Sequence, residues 1–155
     1  MDFFARIFPP TAFELARPED WIALLARVAV GLYFAISGAY KLFSPAQAKK
    51  MRNTVAEAGI AAPRETAGFV SACELLFGAL LVIGLLTPVA AVVVLIISVV
   101  ALVTVTAKTV EGVDFAYRLS SFLGLPETLL IVLAAWIAVH GPTGASVDAL
   151  LFKAL

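Results

Sequence analysis

The chain has 155 residues, 62% of them hydrophobic and 14% charged, with a mean hydropathy of +1.02. Ordinary soluble domains are about 45–50% apolar and about 25% charged, so a water-soluble core of this size is excluded. Eleven basic residues balance eleven acidic ones, and no basic stripe interleaved with aromatics points to nucleic acid.

The opening MDFFARIFPPTAFELARPEDW has prolines and acids where a signal peptide carries a clean apolar core, so it reads as an uncleaved lead-in lying on the membrane surface. The first span is expected over about 21–43, after Pro18-Glu19-Asp20, whose acids suit the positive end of a helix dipole. Residues 44–65 are polar, rich in Lys and Arg, and broken by Pro45, Gly59 and Pro63; the middle has the apolar spacing of a short surface helix. Between Glu74 and Lys108 lie 33 consecutive uncharged residues. As one helix they would run roughly 50 Å, against a hydrocarbon core of roughly 30 Å, so the stretch must fold back. Gly84, Thr87 and Pro88 mark the turn between a second span, about 66–86, and a third, about 88–107. The mixed segment Lys108–Leu125 belongs to the interface. A fourth span over 126–140 is short for a full crossing, which requires either a thinned bilayer or a helix that begins near Arg118 and bends at Pro126. In the tail, Ser146 reads as the cap of a short amphipathic helix. The expected fold is all-α: one integral membrane four-helix bundle over 1–155, closed by that C-terminal helix.

Four ionisable residues fall within or at the edge of these spans: Arg27, Lys41, Glu74 and Glu127. Each costs roughly 2.5–3.5 kcal/mol at a helix centre, so such groups face the bundle interior and take partners. On the first span Arg27, Gly31, Phe34, Gly38 and Lys41 are spaced 4, 3, 4 and 3, which is one helix seam. Gly31 and Gly38 there, and Gly78 on the second span, let backbones approach. Counting depth from the connections groups Lys41 with Glu74 and Glu127 as an intramembrane polar cluster, and Arg27 with Asp148 as a clamp on the tail. The residues leave other roles open. Arg27 and Lys41 are long enough to snorkel to the interfaces, and Glu127 after Pro126 is an ordinary helix-end acid. Cys73, the sole cysteine, permits no intramolecular disulfide or paired-thiolate site, and His140 alone makes no metal or haem site.

The same residues resemble the DoxX family of small bacterial membrane proteins. The opening signature is Arg27, Gly31, Phe34, Gly38 and Lys41; the second helix carries Glu74, Gly78 and Gly84 before Thr87-Pro88; the close is Gly141, Pro142, Ser146 and Asp148. One departure is Pro88-Val89 at the turn, where an arginine often follows the threonine. The resemblance implies a multi-pass protein of the bacterial inner membrane tied to redox systems, since the related DoxD family supplies a subunit of a thiosulfate:quinone oxidoreductase. It points to a subunit or scaffold of a redox complex, with a quinone as the only cofactor in view and a redox subunit or further copies of the chain as partners. No independent catalytic motif is present. A transporter-like oligomer using Glu74 and Lys41 along a path, and a membrane assembly factor, stay open beside it. Lys41, Lys49, Lys50, Arg52, Arg64, Lys108 and Arg118 flank the loops after spans one and three, against Arg6, Arg17, Arg27 and Lys153 on the other side. By the positive-inside rule both termini face outward.

Overall fold

The structure, a computed structural model, describes residues 18–105, 114–143 and 146–149. The expected N-terminal lead-in, the end of the third span at 106–107, the polar stretch 108–113 and the tail from 150 onward lie outside them.

Among the described residues six helices follow in chain order: α1 Pro18–Phe43, α2 Pro45–Glu57, α3 Pro63–Ile83, α4 Thr87–Thr104, α5 Phe115–Leu123 and α6 Pro126–His140. Prolines stand in the first turn of α2, α3, α4 and α6, where the missing N–H has no intrahelical acceptor to lose. Three helices, from Asp20 to Phe43, Pro63 to Ile83 and Thr87 to Thr104, are long and apolar enough to cross a membrane. The expected fourth crossing is not of that class: α6 has 15 residues, about 22 Å of helix. It follows α5 after a break at Gly124-Leu125. Leu125 is extended (φ −69°, ψ 134°), the conformation a following proline imposes.

Each long helix buries one narrow seam. On α3 it is Ala67, Ser71, Glu74, Gly78 and Leu81; on α4 it is Thr87, Ala90, Ala91, Val94, Ser98 and Leu102. The core joins Val30, Phe34, Leu81, Ala90, Ala91, Val94, Ala134 and Ile137. Outside that core the usual distribution is inverted. Ile22, Leu25, Ile36, Phe69, Val103, Val132 and Val139 are exposed, while Arg27, Glu74 and Asp148 are buried. Apolar side chains turned outward along several helices, with the backbone satisfied inside each helix, are what a hydrocarbon solvent selects.

α1 packs chiefly on α3 and α4 on α6, with α3 and α4 joined as a hairpin and α2 folded back on both α1 and α3. The α1–α3 contact is backbone to backbone. A Cβ built on Gly31 would lie 2.8 Å from the Gly78 carbonyl oxygen, and one on Gly38 would lie 2.6 Å from that of Ser71. No larger residue fits there without separating the helices.

Candidate functional site

Two polar clusters lie at opposite ends of the α1 seam, about 21 Å apart along its axis. The first is at the α2 end. Close packing at Gly38 brings α3 near enough for Glu74, one turn past Ser71, to reach α1. Lys41 Nζ donates to Glu74 Oε1 at 2.8 Å and to Oε2 at 2.7 Å. Ser37 Oγ donates to Oε2 at 3.3 Å. The carboxylate side chain is 5% exposed and the lysine 28%. Burial in a low dielectric strengthens the attraction but removes both charges from water, so the bonds must compensate for lost hydration. Lysine has three donors; two hydrogen bonds go to Glu74, and the partly exposed head also lines a cleft of ≈190 Å³ whose walls include Met51, Arg52, Arg64, Ala67 and Ser71. Ser71 itself turns its hydroxyl back to the Ala67 carbonyl at 2.7 Å.

Glu127, grouped with this pair by depth counting, is not hydrogen-bonded to it. Its Oε2 is buried and makes no hydrogen bond among the described residues. Tyr33 lies within electrostatic reach of both Glu127 and Glu74, so the two carboxylates share a region without sharing a partner.

The second cluster is the α3–α4 hairpin. α3 ends at Gly84, whose φ of +71° is left-handed, with Gly84 N on Leu80 O at 2.9 Å and Leu85 N on Leu80 O at 3.0 Å. This is the pattern that glycine terminates most readily. Leu86, also left-handed at φ 51°, stands at the N-cap of α4 without a side-chain oxygen to cap it. Asp148 takes that role from the tail. Its Oδ1 accepts from Leu86 N at 2.7 Å and its Oδ2 from Thr87 N at 2.8 Å, while its own N–H donates to Gly84 O at 2.9 Å. Arg27, 1% exposed, donates from Nη1 to Leu81 O at 3.1 Å. A Cβ on Gly84 would collide with that guanidinium. A cation therefore meets the C-terminal carbonyls of α3 and an anion meets the N-terminal amides of α4, each at the dipole end it stabilises. Arg27 and Asp148 are electrostatically coupled. The two side chains grip one turn from its two sides, Arg27 at the Leu81 carbonyl and Asp148 at the Leu86 and Thr87 amides. Ser146 holds the approach: its Oγ donates to Thr143 O at 2.6 Å and accepts from Ala149 N at 3.1 Å.

Ser37, Arg52 and Arg64 are members of the first cluster that sequence reasoning missed. Ser37 was legible, one helical turn before Lys41 on the same face. The arginines were not, since they reach the cleft only through the return of α2. His140 stacks on Trp136 with ring centroids 5.1 Å apart, Cys73 is half-buried, and among the described residues no three His, Cys, Asp or Glu side chains gather as a metal site requires.

No curated protein and no solved structure matches the chain significantly. The DoxX family profile matches residues 22–107, which takes in α1 to α4, the Lys41–Glu74 pair and the glycine seam, and leaves the terminal Gly141-Pro142…Ser146…Asp148 motif outside. With more than half its length matched and three helices fit to span a bilayer, the chain is a multi-pass membrane protein belonging to the DoxX family.

Proposed function

We propose that the chain is a membrane-embedded subunit of a redox assembly of the bacterial inner membrane, and that it holds the head of a quinone at the Lys41–Glu74 pair. The observation that carries this reading is a hydrogen-bonded charge pair between two apolar helices whose lysine still reaches a cleft. The lysine fits such a ligand. Its two bonds to Glu74 hold it in place, and its remaining donor is available to a carbonyl oxygen. Ser37 steadies the carboxylate from one turn away. A bound quinone supplies the two-electron chemistry, with electrons from a partner subunit; the chain's own residues position its polar head and set the local charge. DoxX membership supports the redox side of the proposal.

A solute path along the α1–α3 seam is a poorer fit. The contact of Gly31 with Gly78 closes that seam between the two polar clusters, with no space even for a methyl group.

The test is quinone content after extraction of the full chain from native membranes in polymer-bounded discs. Stoichiometric quinone is expected with the unaltered chain, and a severalfold fall with Lys41→Met. Quinone no more abundant than in the surrounding lipid would remove the reading.

A further inference from the structure

We infer that the mouth of the α1–α2–α3 cleft binds a phosphate-type oxyanion, carried by a lipid headgroup or free in solution. Cationic side chains from three helices converge on ≈190 Å³: Lys41 from α1, Arg52 from α2 and Arg64 from α3. Glu74 neutralises Lys41 at 2.7 Å. The two arginines have no such partner. Arg52 spends Nε on the Ala48 carbonyl at 3.2 Å, and among the described residues neither guanidinium forms an ion pair, although Glu57 and Glu65 lie close by in sequence. The cleft therefore keeps an excess of two positive charges facing one small space.

Its remaining walls suit a compact anion. Leu42, Ala48 and Met51 form an apolar side, and on the α3 side Ala67, Gly68 and Ser71 are small, so that a Cβ placed on Gly68 would meet nothing within 4 Å. Arg64 stands in the first turn of α3, at its amide end, whose partial positive charge adds to the potential there. Guanidinium groups bind phosphate oxygens in pairs, more tightly and with more geometric restriction than an ammonium does. The level in the bilayer agrees. Lys41 stands in the last turn of α1 and Arg64 in the first turn of α3, so the cleft lies at a membrane–water boundary, where headgroup phosphates reside. The site goes beyond the quinone reading: it shares the cleft and Lys41 with it but turns on Arg52 and Arg64, so R52Q/R64Q separates the two.

The experiment uses the full chain in discs of zwitterionic phosphatidylcholine and measures thermal unfolding. Inorganic phosphate is titrated against chloride at constant ionic strength; in a second arm the discs contain phosphatidylglycerol, and lipid retention is read by native mass spectrometry. A stabilising shift with inorganic phosphate identifies a free oxyanion as a sufficient ligand. A shift with phosphatidylglycerol, together with retained lipid, identifies the headgroup. In either arm R52Q/R64Q should weaken binding roughly tenfold or more, the loss of one or two charge-assisted bonds. Both side chains are exposed, so the substitution leaves the packed core intact, and unfolding without added anion checks this. No shift in either arm, or an undiminished shift in R52Q/R64Q, overturns the proposal. Quinone content is measured separately on chain extracted from native membranes: its absence there with anion binding intact counts against the quinone reading alone.

Discussion

Glu74 lies about 10 Å below Ala67 along α3, too deep for its short side chain to reach water unaided, and Lys41 answers it from α1. Removing one partner of a buried pair leaves a lone charge, typically at a cost of about 3–5 kcal/mol. Lys41 retains some exposure, which places Glu74→Ala toward the lower end, at about 3 kcal/mol. Adding Lys41→Met should recover part of that loss, and a double-mutant cycle of unfolding free energies in mild detergent reads the coupling. Strictly additive singles would mean the two side chains do not depend on each other. At the other cluster, Asp148→Ala strips the acceptors from Leu86 and Thr87. The loss of a helix cap is worth about 0.5–2 kcal/mol, and burial places this one near the top of that range. Hydrogen exchange should accelerate first at those two amides; unchanged protection there would show that the carboxylate does not hold the turn.

Helices α1 and α3 meet through glycine, so their separation is set by the absence of side chains. Gly78→Leu would drive a Cβ toward the backbone of Ala35 and to within 2.7 Å of the Gly31 carbonyl oxygen. Overpacking of this kind costs about 1–3 kcal/mol, occasionally more, and here it should also pull Glu74 away from Lys41. Gly78→Leu is therefore expected to weaken the bundle and to abolish the Lys41–Glu74 coupling in the cycle above; preserved coupling would mean that α1 and α3 tolerate wider spacing. The α3–α4 hairpin has the opposite logic. It is held from outside, by Arg27 on one helix end and Asp148 on the next. Deleting residues 146–155 and substituting Arg27→Met should destabilise the protein to a similar degree and less than additively. If the truncated chain is as stable and monodisperse as the full one, Arg27 serves something other than the tail.

Across the whole molecule, orientation follows from charge. Seven Lys and Arg residues flank the loops after the first and third spans and four lie on the other side, so those loops are expected in the cytoplasm and both termini outside. A C-terminal alkaline phosphatase fusion should be active; a cytoplasmic reporter signal would reverse the assignment. In that orientation the Arg52–Arg64 cleft would face the cytoplasmic leaflet.

The sequence by itself determined that this chain lives in a bilayer, where its three long helices lie, and which residues share each seam. Those properties depend on composition and on a local 3.6-residue period, and the buried set Ala67, Ser71, Glu74, Gly78 and Leu81 follows that period along α3. Depth counting also drew Lys41 toward Glu74, because helix rise converts sequence distance into depth. For Glu127 it gave a shared region without a hydrogen bond to the pair, since equal depth does not specify which way a helix is turned. The sequence reading put a fourth crossing at 126–140; the helix is there, parted from the short α5 at Gly124-Leu125, but with 15 residues it falls short of the three spanning helices. Only the tertiary structure decided that Asp148 caps α4, and that α2 returns Arg52 to a cleft shared with Lys41 and Arg64. Those contacts depend on how a turn presents its amides and where a connecting helix comes to rest, and neither leaves a periodic trace in the residues that take part.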